Sequence, residues 1–154
     1  MQGFFKSAPR LQNWANRWAE CLPAGLFLLL DGELGSGKTT FVQGLARGLG
    51  IVETVTSPTF ALIHAYPEGV PPLIHCDLYR LEPEQVWGLG LQEDNEGGIT
   101  VIEWAQRLPF TPRPVLWLNF TIAKEGRWVR GTAISPREKG LLAQAQLLYE
   151  NEGS

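Results

Sequence analysis

The feature that most constrains the fold is a glycine-rich segment, GELGSGKTT at residues 32–40, which follows the apolar run LFLLL at residues 26–30. The segment satisfies the pattern G-x-x-x-x-G-K-[ST], in which glycines let successive backbone N–H groups point into one concavity. After it, TTFVQGLARGLG places Phe41, Leu45 and Leu49 on one stripe, with Gly50 as a terminator. A strand, a loop and an amphipathic helix in this order predict a phosphate-binding unit of an α/β protein, because the helix dipole favours negative charge at the helix N-terminus.

Each loop position has an expected role in this unit. Lys38 would reach the β and γ phosphates of a nucleotide, and the Thr39 hydroxyl would help coordinate Mg²⁺. The simpler alternative is a glycine-rich turn between strand and helix, which the apolar strand before it and the helix after it disfavour. The residues expected to contact the nucleotide are Gly32, Glu33, Leu34, Gly35, Ser36, Gly37, Lys38, Thr39 and Thr40.

Buried strands that alternate with helices along the rest of the chain predict an α/β fold of the P-loop NTPase kind, with a mostly parallel sheet flanked by helices. Strands are expected within TFALIHAYP, PPLIHCDLYRL and ITVIEWAQRL. A helix that begins after Ser7 as its cap is expected to carry Leu11, Trp14, Trp18 and Leu22 as a stripe on one face. RPVLWLNFTIAKEGRWVRGTAI predicts a C-terminal antiparallel hairpin around KEG at one edge of the sheet. Ser135, Pro136 and Glu138 predict a last helix that starts with a capping box. The 154 residues are expected to form a single domain, 1–154.

Composition narrows the partners and the compartment. Thirteen Lys and Arg residues against 16 Asp and Glu give no basic excess, so any role on nucleic acid needs a partner or a local patch. Cys21 and Cys76 have no metal or redox spacing, which favours a reduced, cytoplasmic protein. The longest apolar run is far too short to cross a bilayer, so no membrane role is expected.

Phosphate chemistry needs a carboxylate beside the loop, and two strands end in one. LIHCD ends in Asp77 and ITVIE ends in Glu103. In open α/β sheets, ligands bind at the carboxyl ends of the strands, where such groups can hold a metal or position water. Each acid alone could equally be a helix cap or a solvated strand end, but together they favour Lys38, Asp77 and Glu103 as catalytic residues and Thr39, Asp77 and Glu103 as metal ligands. The sequence leaves open which acid binds the metal directly.

Three other sites have two interpretations each. Thr56, Ser57 and Thr59 lie in a proline-stiffened segment that could sense the γ-phosphate, or could form a turn that bonds its own backbone. Trp104 could stack on a base, although core packing is the commoner role of a tryptophan. His75 lies within an apolar strand and could be a base or a ligand, although a core histidine with its hydrogen bonds satisfied is the favoured interpretation.

The segments GELGSGKTT, TSPTF, HCDLYR and IEW, in this order, closely resemble the TsaE (YjeE) family of small bacterial ATPases needed to make threonylcarbamoyladenosine in tRNA. The resemblance covers roughly residues 10–110. It implies an ATPase that uses ATP and Mg²⁺ and works with TsaD and TsaB, which would bring it to tRNA only indirectly. It also implies that Thr39 and Glu103 are linked to magnesium. Asp77 matches the family's strand-end acid, Thr59 its sensing threonine, and Trp104 the aromatic next to the nucleotide.

Two other functions fit the same loop. A small-molecule kinase usually clamps its acceptor with clustered arginines, whereas those here are scattered from Arg10 to Arg137. A nucleotide-gated binding module would use ATP to order a loop, with turnover incidental. A GTPase is disfavoured because no N-K-x-D segment follows the loop.

Overall fold

Four parallel strands form the centre of the fold in the computed structural model, which describes residues 1–56, 63–91 and 97–152. The strands are β1 (Gln2–Phe5), β2 (Phe27–Gly32), β3 (Ile63–Tyr66), β4 (Leu73–Asp77), β5 (Ile99–Glu103), β6 (Val115–Ala123) and β7 (Gly126–Thr132). The helices are α1 (Ala8–Ala19), α2 (Lys38–Gly48), α3 (Pro83–Trp87) and α4 (Pro136–Asn151), with a 3₁₀ turn at Ala105–Arg107.

The strands form one seven-stranded sheet in the order β1-β7-β6-β2-β5-β4-β3. The parallel strands are β6, β2, β5 and β4, while β3 runs antiparallel to β4 and β7 antiparallel to β6. Parallel neighbours end at the same edge of a sheet, so the last residues of β2, β4 and β5 lie side by side. This carboxyl edge is where the glycine-rich loop begins.

The α/β fold and the hairpin are confirmed, with two corrections. The hairpin does turn within KEG, since Ala123 pairs with Gly126, but β7 is not the outermost strand because β1 pairs with it. The strand at residues 63–66 is antiparallel to β4, so antiparallel strands lie at both edges of the sheet. Hydrophobic periodicity identifies a strand but not the direction of its partner, and QGFF is too short to show a period.

Helices α1, α2 and α4 cover one face of the sheet with the larger core. The predicted stripe of α1 is buried, and Ser7 accepts a hydrogen bond from the Arg10 backbone N–H. The two helices α1 and α2 approach closely through glycine, because a Cβ at Gly44 would collide with the Gln12 carbonyl oxygen. The opposite face carries a smaller core with α3 and the 3₁₀ turn.

Helix α4 starts at Ser135 and Pro136 as predicted, but the capping box does not form. The Ser135 side chain makes no capping hydrogen bond. Glu138 is instead 4% exposed, so it turns inward rather than back to the helix end. Because the packing of this first turn orients Glu138, sequence spacing alone could not exclude the box.

Candidate functional site

The glycine-rich loop leaves the end of β2 and enters α2 with a backbone that only glycine adopts easily. Gly32, Gly35 and Gly37 have φ of 152°, 81° and 111°, as the spacing predicts. At Gly32 there is no room for a side chain either, because a Cβ would lie 2.6 Å from the Phe120 carbonyl oxygen and 2.7 Å from Ser36 Oγ. The loop is therefore held against β6, with the first turn of α2 directly behind it.

Lys38 lies at the centre of this loop and is only 5% exposed. Its Nζ donates a 2.7 Å hydrogen bond to the Gly32 carbonyl oxygen and lies 4.5 Å from the centroid of the Trp104 ring. A buried ammonium needs compensation, and here a carbonyl dipole and an aromatic face supply it. The lysine is thus positioned to meet an anion that enters the loop.

The two predicted carboxylates are register partners at the ends of adjacent parallel strands. Asp77 Oδ1 accepts a 2.9 Å bond from the Tyr79 backbone N–H, and Glu103 is 4% exposed. Desolvation raises the pKa of the Asp77 carboxyl above its usual value of 3.8, with a contribution from the charge of Glu103, while the Tyr79 bond opposes the rise. A cation between the two acids would relieve this cost.

His75 has a role that sequence reasoning missed. It is fully buried as predicted, but its Nε2 lies 2.6 Å from Glu103 Oε2 and its Nδ1 has no partner among the described residues. Since an ionised carboxylate only accepts, Nε2 carries the proton and donates to Glu103. His75 therefore fixes the orientation of Glu103. The available signal was that His75 precedes Asp77 by two residues, so both point to one face of β4.

Trp104 is half-buried at the border between the smaller core and the glycine-rich loop. Its backbone has φ 60° and ψ 43°, the left-handed region that a bulky residue rarely adopts. The ring packs at 4.8 Å from the Tyr79 ring and against Lys38. The ring also packs against the smaller core, so Trp104 joins that core to the cavity, and its contact with a nucleotide stays a prediction.

These groups surround one cavity of about 200 Å³. Its lining residues are Leu34, Gly35, Gly37, Lys38, Thr39, Thr40, Asp77, Glu103, Trp104 and Arg127. Trp104 also borders a neighbouring cavity of about 330 Å³, which Gly32 and Glu33 help to line. A larger cavity of about 430 Å³ beside Phe4 and Tyr149 shares no lining residue with this one, and its charged lining residues are Arg10 and Glu152. Thr59 and Ser57 lie outside the described residues.

The residues present fit a magnesium nucleotide. Ser36 Oγ is buried without a hydrogen-bond partner among the described residues, as expected of a hydroxyl in a loop that cradles a phosphate. Within residues 1–56, 63–91 and 97–152, no group of three His, Cys, Asp or Glu side chains could hold a metal alone. Magnesium usually takes one or two carboxylates and completes its shell with phosphate oxygens and water. Thr39, Asp77 and Glu103 could supply such a partial set.

The fold and the loop together define a class: an α/β protein with the phosphate-binding loop sequence at the carboxyl edge of its parallel strands. Comparison with known proteins is more specific. Residues 5–130 match the family described as threonylcarbamoyl adenosine biosynthesis protein TsaE, and the chain belongs to this family. The resemblance noted in the sequence is thereby confirmed.

Individual relatives agree with this assignment. The tRNA threonylcarbamoyladenosine biosynthesis protein TsaE of Nostoc sp. is 50% identical over 112 residues, 70% of this chain and 69% of the relative. The protein of the same name from Synechocystis sp. is 45% identical over 73% of this chain and 74% of its own. A crystal structure of YdiB from Bacillus subtilis superposes with a TM-score of 0.78 at 32% identity, covering 95% of this chain and 93% of YdiB.

Nothing in the described part of the chain has the form of a membrane-spanning helix: none of its helices is both long enough and apolar enough.

Proposed function

We propose that this protein binds and hydrolyses ATP with Mg²⁺ as a cytoplasmic subunit needed to form threonylcarbamoyladenosine in tRNA. The observation that carries the proposal is the convergence of Lys38, Thr39, Asp77 and Glu103 on one cavity at the end of the glycine-rich loop. Membership of the TsaE family supports the pathway, since its relatives are named for this modification.

In this proposal, different groups of the chain bind the phosphates, hold the metal and orient the attacking water. The backbone N–H groups of the loop and Lys38 bind the phosphates, and Lys38 stabilises charge that develops on them. The Thr39 hydroxyl and one carboxylate hold the metal, which when bound neutralises charge on the phosphate oxygens. The other carboxylate orients the attacking water and accepts its proton, and His75 keeps Glu103 in place for either task.

The partners in this proposal are TsaD and TsaB. The net charge of −3 gives this chain no general attraction for tRNA, so the other subunits would supply the surface that binds it. The ATPase cycle is then useful only within the assembly, and slow turnover alone is expected.

The experiment measures Mg²⁺-dependent phosphate release from ATP, by this protein alone and with TsaD and TsaB. We expect slow release alone, stimulation by the partners, and a loss of about 100-fold or more in Lys38→Ala. Lys139→Ala is the matched control, because Lys139 is an exposed lysine on α4 and should release phosphate like the wild type.

Absence of Lys38-dependent release under every condition would overturn the ATPase proposal. Phosphate transfer to a small alcohol would then indicate a kinase. Partner affinity that rises with a non-hydrolysable ATP analogue, with full modification activity but no hydrolysis, would indicate a nucleotide-gated binding module.

A further inference from the structure

Arg127 is the charged residue that the hairpin brings to the glycine-rich loop. It is the second residue of β7, where it pairs with Phe5 on β1 and Ile122 on β6. Val129, two residues on, is buried in the core under α1, α2 and α4, so Arg127 points to this same face of the sheet. The turn of the hairpin thus places a guanidinium on the side of the sheet that carries the loop.

The Arg127 side chain crosses directly over the last glycine of the loop. A Cβ at Gly37 would lie 3.0 Å from Arg127 Cδ and 3.2 Å from its Nη1. The same side chain lines the cavity of about 200 Å³ together with Lys38 and the two carboxylates. The guanidinium and the loop amides therefore border one space.

The half-buried Arg127 guanidinium makes no hydrogen bond or ion pair with any described residue. Other arginines do find partners: Arg17 pairs with Glu152 at 2.8 Å, and Arg107 donates to the Leu81 carbonyl oxygen at 3.2 Å. The carboxylates of the cavity are already engaged, Glu103 by His75 and Asp77 by the Tyr79 N–H. An arginine with five donors and no acceptor, held against an anion-binding loop, is arranged for a ligand.

We infer that Arg127 is a phosphate-binding residue of the nucleotide site, supplied by the β6–β7 hairpin of the same chain. The planar guanidinium fork matches two phosphate oxygens, and its charge adds to that of Lys38. The inference rests on the proposed function, and it gives the hairpin a purpose that its sequence did not reveal.

The test measures the affinity for Mg²⁺ and a non-hydrolysable ATP analogue by calorimetry, in wild type, Arg127→Ala, Arg127→Lys, Arg130→Ala and Lys38→Ala. Loss of one charge-assisted contact should weaken binding about 10- to 100-fold in Arg127→Ala. Arg127→Lys should retain part of the affinity, because it keeps the charge but not the fork. Arg130 is the matched control: it lies on the same strand but is exposed on the other face, where it bonds Gln2 Oε1 at 3.5 Å, and Arg130→Ala should bind like the wild type.

A folded Arg127→Ala protein that binds the analogue as the wild type does, while Lys38→Ala does not, would overturn this inference alone. Wild-type protein without Lys38-dependent binding would overturn the proposed function and the inference with it. If Arg127→Ala does not fold, Arg127→Gln keeps a polar side chain through Cδ without the charged guanidinium, and the same weakening of binding is expected of it.

Discussion

The tryptophans of the core and the tryptophan of the carboxyl edge have opposite environments. Trp14 and Trp18 are fully buried, stack with their centroids 5.4 Å apart, and donate their indole N–H groups at 3.0 Å to the carbonyls of Ala145 and Leu141. Trp104 is half-buried and has a left-handed backbone that costs about 1–2 kcal/mol.

Hydrogen bonding shows the same contrast. The two buried side-chain atoms that lack a partner among the described residues, Ser36 Oγ and His75 Nδ1, both lie near the glycine-rich loop. Strain and unsatisfied polar groups tend to concentrate where a protein binds something. The helical core is therefore closely packed with its indole N–H groups hydrogen-bonded, whereas the carboxyl edge carries a strained backbone at Trp104 and polar atoms that are unpaired within the described part of the chain. Four predictions test the division, in order of decreasing effect.

The largest effect is expected in the core. Trp18→Ala should reduce the free energy of unfolding by about 3–5 kcal/mol, because it leaves a large cavity and removes the indole hydrogen bond to the Leu141 carbonyl. Urea denaturation measures the loss. Trp128→Ala is the control, since Trp128 is 42% exposed on the hairpin and should cost about 1 kcal/mol or less. Equal losses of unfolding free energy in the two variants would show that the buried aromatic core does not contribute more to stability than the exposed hairpin.

The second largest effect is expected on the rate of phosphate release. His75→Ala removes the N–H donor that orients Glu103, and phosphate release should drop about 10- to 100-fold. His75→Gln, whose amide can still donate, should recover part of it. The control is His64→Ala. His64 lies on edge strand β3, and its hydrogen-bond partner among the described residues is the Tyr66 hydroxyl. Wild-type turnover in a folded His75→Ala protein would show that His75 merely fills space.

Removal of a site carboxylate should make the metal-free protein more stable. Burial raises the folded-state pKa of Asp77, so its ionised form costs the native state free energy above that pKa, and the cost disappears as the pH falls below the usual value of 3.8. In EDTA at neutral pH, Asp77→Asn should therefore gain about 0.5–1 kcal/mol while it loses ATP turnover.

Thermal unfolding across pH measures this gain. It should shrink as the solution is acidified through the raised pKa, where the wild-type carboxyl becomes neutral as well. A destabilised Asp77→Asn protein would assign Asp77 to the structure rather than to the site.

The smallest effect concerns reactivity. Cys76 is fully buried, and burial raises the pKa of its thiol to about 12. A thiol reagent at pH 8 should modify the half-buried Cys21 and leave Cys76 intact until the protein is denatured. Mass spectrometry of the labelled peptides reads this out, and rapid labelling of native Cys76 would mean that β4 opens readily.

Much of the carboxyl edge could be predicted because its signals are local. The spacing of Gly32, Gly37, Lys38 and Thr39 follows from what a phosphate requires of a loop, and a strand that ends in an acid brings that acid to the edge. The Arg127 contact could not be predicted, because β7 is separated from the loop by about half of the chain and only the register of the sheet brings them together. The failed capping box at Ser135 has a similar cause, since the packing of α4 decides where Glu138 turns.

Local sequence was enough to predict the strand–loop–helix unit, the buried stripe of α1 and the hairpin turn, because each depends on residues that are near one another in the chain. The family could be predicted as well, since each of its four motifs is short. The tertiary structure alone decided that β1 covers the hairpin, that His75 holds Glu103, and that Arg127 lies over Gly37. These contacts join residues far apart in sequence, and their geometry depends on strand order and register, which a pattern of apolar and polar residues does not encode.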